Sequence, residues 1–157
     1  MDQITTRPAT PDDLIALAEL WYENRVLQQQ SDSRLTLVAS AKTSWIEEAS
    51  RWLTNPRCAI CVALRSGIPL GYLVVWLQDM PPGVVPKCVG FVADMAVDLH
   101  TSSGGAGQSL LNAARDWLKQ QNIENVMVAV PHRQPVQQAF WRGQGARTWM
   151  DLMWLKL

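Results

Sequence analysis

Residues 93–121 read ADMAVDLHTSSGGAGQSLLNAARDWLKQQ, and three different patterns follow one another in this stretch. An apolar run ends at Val97, a polar and glycine-rich turn covers residues 102–108, and an amphipathic pattern begins directly after it. The sequence therefore predicts a strand, a loop and the start of a helix. Small residues let a ligand approach the backbone closely, and the unpaired N–H groups of a first helical turn attract phosphate oxygens. We expect the ligand of this turn to be an anion, such as a phosphorylated cofactor.

The spacing of the glycines excludes the two commonest phosphate-binding motifs. A nucleotide P-loop requires Lys and then Ser or Thr after its last glycine, but Gly107 is followed by Gln108 and Ser109. A dinucleotide fingerprint requires a third glycine where this chain has Leu110. A glycine-rich linker without a ligand stays open as an alternative, because short glycine clusters are common material for turns.

Composition limits the kinds of partner. A length of 157 residues suits one domain spanning residues 1–157. The 14 basic residues balance the 14 acidic ones, so there is no net positive field to attract nucleic acid or an anionic membrane. We therefore expect neither of these partners.

The three cysteines, Cys58, Cys61 and Cys88, lie in apolar, strand-like runs. Cys58 and Cys61 have CxxC spacing, but in a strand their thiols face opposite sides, so we expect reduced core residues and no metal site. No apolar run approaches the roughly 20 residues of a membrane-spanning helix. Both features predict a cytoplasmic protein.

The rest of the chain alternates between strand-like and helix-like patterns. Thr10, Pro11, Asp12 and Asp13 predict a helix start, with a hydroxyl cap, an N-terminal proline and two acids at the positive end of the helix dipole. Predicted helices then cover about residues 10–27, 40–53 and 135–142, besides the one after the glycine turn. Predicted strands cover residues 4–7, 58–64, 70–77, 88–97 and 126–130, and Gly71 inside the third predicts a bulge or a close backbone approach.

The C-terminal segment, residues 146–157, predicts a last strand, or two. Its large apolar side chains are Trp149, Met150, Leu152, Met153, Trp154 and Leu155. A hydrophobic terminal strand pairs either within its own sheet or with a second subunit, so a homodimer is one of two outcomes.

The glycine turn resembles the acetyl-CoA signature of the GNAT acyltransferase superfamily, Gln/Arg-x-x-Gly-x-Gly/Ala after an apolar strand. Gly105-Ala106-Gly107 fits this signature, although Ser102 occupies the Gln/Arg position. Residues 134–146 are similar to the family's closing motif, Asn-x-x-Ala-x-x-Phe-Tyr-x-x-x-Gly-Phe, with Gln134 in place of Asn and Trp141 in place of Tyr. The order of predicted elements is also the GNAT order.

The resemblance implies an α/β (α+β) fold with a mixed, mostly antiparallel sheet of six or seven strands, splayed between the fourth and fifth, and about four helices. It implies acetyl-CoA or another acyl-CoA as co-substrate, with the pantetheine in the splay. Carried over by position, the implied cofactor-binding residues are Met95, Ala96, Val97, Ser102, Ser103, Gly104, Gly105, Ala106, Gly107, Gln108, Gln134 and Trp141.

The activity that the resemblance implies is N-acetyl transfer to a primary amine, of a small molecule or of a protein, by direct attack in a ternary complex. Asp94 and Glu23, with Glu19 beside it, are the candidate catalytic carboxylates, and each can also be read as a solvated or capping charge. An indole N–H does not titrate usefully, so Trp141 cannot replace tyrosine as general acid. His132, Tyr22, Tyr72 or water are the alternatives.

Two other functions stay open at this point. One is a GNAT-fold domain that binds acyl-CoA or a partner protein without turnover, which the exchanged Ser102 and Trp141 favour. The other is a small structural or dimerisation domain without a cofactor.

Overall fold

The computed structural model describes residues 3–100 and 104–157. Five strands and four helices follow one another in the expected order. They are β1 (Ile4–Pro8), α1 (Leu14–Ser31), α2 (Ala41–Trp52), β2 (Cys58–Arg65), β3 (Ile68–Asp79), β4 (Cys88–Val97), α3 (Ala106–Gln120), β5 (Val126–Val128) and α4 (Pro135–Gly143), with one 3-10 turn at Pro11–Asp13 before α1. The extent of β4 agrees with the prediction, whereas α1 continues four residues beyond Leu27 and β5 is two residues shorter.

The five strands form one sheet in the order β1-β2-β3-β4-β5. Neighbouring strands are antiparallel except β4 and β5, which are parallel. A mixed, mostly antiparallel sheet with four helices confirms the predicted fold class. The sheet has five strands in the described residues, however, and not six or seven.

The difference in strand number comes from the C-terminal segment. Residues 146–157 form no strand, so the prediction of a last strand is wrong for the chain in this structure. The large apolar side chains from Trp149 to Leu157 are all exposed, from 60% for Trp154 to 92% for Leu152 and fully for Leu157. Strand-like side chains are not sufficient for a strand, because the backbone also needs a neighbouring edge to pair with.

The helices cover the sheet on both faces, so there are two apolar clusters. On one face α1 and α2 pack against the sheet through Leu17, Trp45 and Ala49, which meet Tyr72 and Val74. On the other face α3 packs through Leu110, Leu111, Ala114 and Leu118, and Trp141 of α4 joins this cluster. Cys58 belongs to the first cluster and Cys61 to the second, which confirms that the two thiols face opposite sides.

The first cluster contains a chain of aromatic rings. Trp45 lies at its centre, 6.0 Å from Trp21, 6.1 Å from Trp52 and 5.5 Å from Tyr72 between ring centroids. Trp52 in turn lies 6.1 Å from Trp76. The indole N–H of Trp45 is buried and has no hydrogen-bond partner among the described residues. Aromatic packing therefore connects α1, α2 and β3.

Asp13 organises the start of α1. Its carboxylate accepts hydrogen bonds from the backbone N–H and hydroxyl of Thr10 and from both terminal nitrogens of Arg7, at 2.7 to 3.1 Å. This confirms the helix start predicted from Thr10-Pro11-Asp12-Asp13. Asp13 is the one buried charged residue of the described chain, and it is fully partnered.

Gly71 lies where the backbones of β3 and β4 approach each other closely. A Cβ atom there would come within 2.7 Å of the Ala96 carbonyl oxygen. The pairing of β2 with β3 shifts register beside it, between Ala63 and Leu64. Both features predicted for Gly71 are therefore present.

Residues 3–100 and 104–157 contain neither a candidate membrane span nor a candidate metal cluster. No helix there has both the length and the apolar character needed to cross a membrane. No three His, Cys, Asp or Glu side chains there are grouped as metal ligands would be.

Candidate active site

β4 separates from β5 halfway along its length. The parallel pairing joins Gly90 to Val126, Phe91 to Met127 and Val92 to Val128, and within the described ranges it extends no farther along β4. Directly after Val92, Ala93 is an extra residue opposite β3, because Val75 pairs with Val92 and Val74 with Asp94. This bulge bends β4 at the point where the two strands part. The predicted splay between the fourth and fifth strands is thus confirmed.

Beyond the bulge, alternate peptide groups of β4 face the opening. The N–H of Asp98 donates to the Leu70 carbonyl at 2.7 Å, so the peptide groups of Met95 and Val97 point away from β3. The Met95 N–H donates to Oδ1 of Asp94 at 2.9 Å, and the Val97 carbonyl accepts a hydrogen bond from the Asn24 side chain at 3.3 Å. The Met95 N–H therefore has a partner within the protein, which was not expected.

Among the described residues, no side chain caps the N–H groups in the first turn of α3. Gly104 and Gly105, which precede the helix, have positive φ values of 41° and 96°. The first helical hydrogen bond joins the Ser109 N–H to the Gly105 carbonyl at 2.9 Å, so the N–H groups of residues 106–108 precede it. A Cβ built on Gly105 would have no heavy atom within 4 Å, which shows open space on this side. Such a turn fits a diphosphate.

Gly107 marks the point where β4, α3 and α4 meet. A Cβ on Gly107 would lie 3.0 Å from the Met95 Cε and 3.2 Å from Phe140 Cε2. Phe140 was not among the predicted site residues, although it occupies the Phe position of the closing motif. Its contact with the glycine turn depends on the tertiary packing of α4, which no local pattern encodes.

Asp94 is a largely buried carboxylate on the face that α1 covers. Its side chain is 17% exposed and lies 3.7 Å from Nη2 of Arg25. The hydroxyl of Tyr72, a fully buried residue, donates to Oδ2 at 2.8 Å. The Met95 N–H contacts the other carboxylate oxygen. Asp94 is therefore held in a fixed orientation from three sides.

Burial raises the pKa of Asp94 above its ordinary value of 3.8, against the opposing effects of Arg25, Tyr72 and the Met95 N–H. The pKa of Tyr72 is also raised, by burial and by the adjacent Asp94 charge. Tyr72 therefore keeps its proton and acts as a hydrogen-bond donor to Asp94. A carboxylate with a raised pKa beside a strand opening can act as a general base.

The C-terminal half of α1 lies over the end of β4. Glu23 approaches His100, with 3.6 Å between Oε2 and Nε2, and its side chain is 43% exposed. Asn24 and Arg25 contact Val97 and Asp94 as described above. The structure thus brings Glu23 to the same end of β4 as Asp94, but on its solvent side. Glu19 instead accepts two hydrogen bonds from Lys42 at 2.9 and 3.0 Å, and Lys42 also lies 5.1 Å from the centroid of the Tyr22 ring.

The remaining predicted residues lie on α3, on α4 and in the loop before α4. Gln134 precedes α4, and its side chain donates to the Ser31 hydroxyl at 2.9 Å, while Gln108 donates to Asn112 within α3. Trp141 is 8% exposed and packs in the core with Phe140. His132 lies in an exposed loop with Nε2 3.5 Å from Oδ1 of Asp151. Ser102 and Ser103 lie outside the described residues.

Comparison with protein families agrees with this geometry. The model of the Acetyltransferase (GNAT) family matches residues 17–146. Because the match covers most of the sequence, the chain belongs to the GNAT acetyltransferase family. No curated protein matches the sequence significantly.

Solved structures share the fold at low sequence identity. A tetramutant of the BH1408 protein from Bacillus halodurans superposes with a TM-score of 0.85 at 18% identity, over 98% of this chain and 99% of that one. The aminoglycoside 6'-N-acetyltransferase AAC(6')-IG from Acinetobacter haemolyticus gives 0.77 at 16% identity, over 98% and 97%. A predicted acetyltransferase from Clostridium acetobutylicum, solved with acetyl-CoA, gives 0.75 at 14% identity, over 98% and 96%.

Proposed function

We propose that this chain is an acetyl-CoA-dependent N-acetyltransferase that transfers an acetyl group to a primary amine by direct attack in a ternary complex. The observation that carries the proposal is the position of Asp94, a largely buried carboxylate beside the opening between β4 and β5. Family membership and the similar structure solved with acetyl-CoA support the cofactor. Acetyl-CoA supplies an acetyl group that is activated as a thioester.

The chain offers backbone groups for the cofactor in two places. The uncapped N–H groups of Ala106, Gly107 and Gln108, behind the turn formed by Gly104 and Gly105, would hold the diphosphate. The β4 backbone at Met95, Ala96 and Val97 would hold the pantetheine. The side chains of Ser102, Ser103, Gln134 and Trp141 stay predicted contacts.

Asp94 is the residue that we propose as general base. An ammonium acceptor must lose a proton before it can attack, and the raised pKa of Asp94 brings this carboxylate closer to the pH at which a base works well. Tyr72 and Arg25 orient it. Glu23 is the second candidate, since it lies at the same end of β4 but closer to solvent.

The Met95 N–H links the cofactor groove to the base. It donates to Asp94 Oδ1, and it is also one of the two backbone donors predicted for the cofactor. Removing a donor from a carboxylate raises its pKa. If the cofactor takes this N–H, Asp94 becomes a somewhat stronger base, since the Met95 bond has the smallest of the effects on this pKa.

The acceptor that we propose is a small-molecule amine or a protein amino group. Similar structures include aminoglycoside acetyltransferases, which supports the first class. The reduced, buried Cys58 and Cys61 support a cytoplasmic location.

The proposal is tested by measuring acetyl-CoA binding calorimetrically and acetyl transfer by release of the CoA thiol. The amine panel contains aminoglycosides, polyamines and peptides with a free N-terminus or lysine. We expect Asp94→Asn to bind acetyl-CoA like the parent but to lose about 10²- to 10⁴-fold in kcat/KM, as removal of a general base does. Asp116→Asn, an exposed acid on α3, is the matched control and keeps the parental rate.

Gly107→Glu tests the glycine turn, because it introduces bulk beside Met95 and Phe140 and a negative charge that would repel the diphosphate. We expect it to abolish acetyl-CoA binding. Equal binding by this variant would refute the assignment of the turn. Binding without transfer to any amine would favour the non-catalytic alternative. The buried Trp141 supports that alternative, because it replaces a tyrosine that could act as general acid. No binding of any acyl-CoA would leave only a structural domain.

A further inference from the structure

The guanidinium of Arg25 lies beside the proposed base and has unused hydrogen-bond donors. Its Nη1 donates to Oε1 of Gln28 at 2.7 Å, which is its one hydrogen bond to residues 3–100 and 104–157. Its Nη2 lies 3.7 Å from Oδ1 of Asp94, close enough for an ion pair but too far for a hydrogen bond. A guanidinium has five N–H donors, so most of those on Arg25 are available to a ligand.

Asp94 keeps its orientation without a hydrogen bond from Arg25. The Tyr72 hydroxyl donates to Oδ2 at 2.8 Å, and the Met95 N–H donates to Oδ1 at 2.9 Å. A carboxylate has about four acceptor positions, so about two remain for a ligand. Both members of the ion pair between Arg25 and Asp94 can therefore bind a further group.

The ion pair has an electrostatic disadvantage for a base. Burial raises the pKa of Asp94, and the Arg25 charge is the strongest of the effects that oppose this rise. A cation that lowers the pKa of a base weakens that base at neutral pH. A negative group of the acceptor, bound to Arg25, would offset this effect because it would neutralise the cation.

The pair lies where the C-terminal half of α1 meets the end of β4. The side chain of Arg25 is 36% exposed and that of Asp94 is 17% exposed. Asn24, the neighbour of Arg25, donates to the Val97 carbonyl at 3.3 Å, which holds this part of α1 against β4. A molecule bound beside Asp94 therefore meets a cation and an anion that are held side by side.

The spacing of the two charges matches that of an α-amino acid. Bonds of about 1.46 and 1.52 Å with an angle of about 111° place its amine nitrogen about 2.5 Å from its carboxylate carbon. Oδ1 of Asp94 and Nη2 of Arg25 are 3.7 Å apart. With hydrogen bonds of about 2.8–2.9 Å, the ammonium and the carboxylate of such a zwitterion can each contact the opposite charge at the same time.

A polycationic acceptor fits this pair less well. A second ammonium group close to the first would approach Arg25 and be repelled. Glu23, a second carboxylate at this end of β4, is 43% exposed and lies 3.6 Å from His100, so water and salt screen its charge. The charge pattern therefore favours a zwitterion over a polyamine.

We propose, on the basis of the acetyl transfer proposed above, that the acceptor is an α-amino acid whose ammonium group binds Asp94 and whose carboxylate binds Arg25. The ammonium gives one proton to Asp94, and its nitrogen then forms a bond to the thioester carbon. The carbon–sulfur bond breaks, the electron pair leaves with the sulfur, and a second proton from the nitrogen converts the thiolate into the CoA thiol. The products are an N-acetyl amino acid and CoA, and Asp94 releases its proton to water.

The first test compares acceptors with the unmodified chain. The panel contains the twenty standard amino acids, their amides and the amines formed by their decarboxylation, and mass spectrometry quantifies the acetylated products. For the amino acid that reacts best, we expect a kcat/KM about 10- to 100-fold above that of its amide and of its amine, as for a lost charged hydrogen bond. The amide has the less basic nitrogen, so it would be favoured if the carboxylate were not bound. An amide or amine that reacts as well as its amino acid overturns the proposal.

The second test changes the cation. We expect Arg25→Gln to lose about 10- to 100-fold in kcat/KM for the amino acid, mainly through KM, and to lose the preference over the amide. Arg25→Lys keeps the charge but not the fork of donors, so it should recover part of the preference. Arg51→Gln, at a side chain that is 71% exposed on α2, is the matched control and keeps the parental preference. An equal loss for amino acid and amide in Arg25→Gln would indicate a structural role and contradict the proposal.

The third test separates recognition of the acceptor from acetyl transfer. Calorimetry measures binding of the amino acids to the chain in the presence of CoA, which carries no acetyl group. We expect binding that is at least about tenfold weaker for Arg25→Gln. Binding without transfer would keep the assignment of Arg25 and refute the proposed enzyme. Transfer to other amines without binding of any amino acid would refute the assignment of Arg25 and keep the enzyme, and the absence of both would refute the two together.

Discussion

Asp94 is a largely buried carboxyl, and the negative charge that it needs as a base lowers the stability of the fold. Because its pKa in the folded chain lies above 3.8, the folded state binds the proton more tightly than the unfolded state does. The free energy of unfolding therefore falls as pH rises from about 3.8 through the raised pKa. Asp94→Asn removes the charge but keeps an oxygen that can accept from Tyr72.

We expect Asp94→Asn to melt at the same temperature as the parent or higher at pH 8, with a difference that shrinks toward pH 4. Thermal unfolding followed by circular dichroism across this range measures the effect. A variant that melts lower at pH 8 would show that Arg25 and Tyr72 stabilise the carboxylate by more than burial costs it.

Asp13 gives the opposite pH dependence. Its hydrogen bonds with Arg7 lower its pKa below 3.8, so its stabilising effect is complete above that value and is lost as pH falls through the lowered pKa. We expect Asp13→Ala to reduce the free energy of unfolding by about 1–3 kcal/mol at pH 7, since it removes a cap and a charged hydrogen-bond acceptor. Urea unfolding measures this. Asp12→Ala, its exposed neighbour, should cost clearly less.

The packing of β4 against its neighbours depends on two glycines. A Cβ at Gly71 would meet the Ala96 carbonyl oxygen at 2.7 Å, whereas at Gly90 it would meet the side-chain tip of Leu118 at 2.8 Å. A side chain can turn aside, but a paired backbone cannot. We expect Gly90→Ala to cost about 1–2 kcal/mol in urea unfolding and Gly71→Ala more, at the upper end of overpacking effects. Gly143→Ala has open space and should be neutral or slightly stabilising. An equal cost at Gly71 and Gly90 would contradict this explanation.

The sequence was sufficient to predict those elements whose structure follows from a local pattern of residues. β4, the glycine turn and α3 were predictable because an apolar run, small residues and a helical stripe follow one another without a break. The bulge at Ala93 was not, because it depends on the register of β3. The contact of Phe140 with Gly107 and the hydrogen bond from the Met95 N–H to Asp94 were not predictable either, because both depend on tertiary packing. Residues 146–157 have the side chains of a strand but form none, because strand formation also depends on a neighbouring edge outside the segment.

Across the whole molecule, the three cysteines should differ in reactivity. Burial raises the pKa of Cys58 to about 12 and that of Cys61 to about 11, so neither forms a thiolate at ordinary pH. Cys88 is only half-buried. We expect iodoacetamide at pH 8 to modify Cys88 alone in the folded protein and all three cysteines after denaturation in urea, as mass spectrometry would show. Labelling of Cys58 in the folded state would indicate local opening of the sheet.

The row of indoles from Trp21 through Trp45 to Trp52 and Trp76 has an optical consequence. Rings about 6 Å apart couple electronically, so their absorption bands split and produce paired circular-dichroism signals of opposite sign in the ultraviolet. Tyr72 touches both this row and Asp94. If Asp94 is the general base as proposed, emission and dichroism of the unlabelled protein should therefore change when an amine binds beside it, which gives the protein a built-in spectroscopic probe.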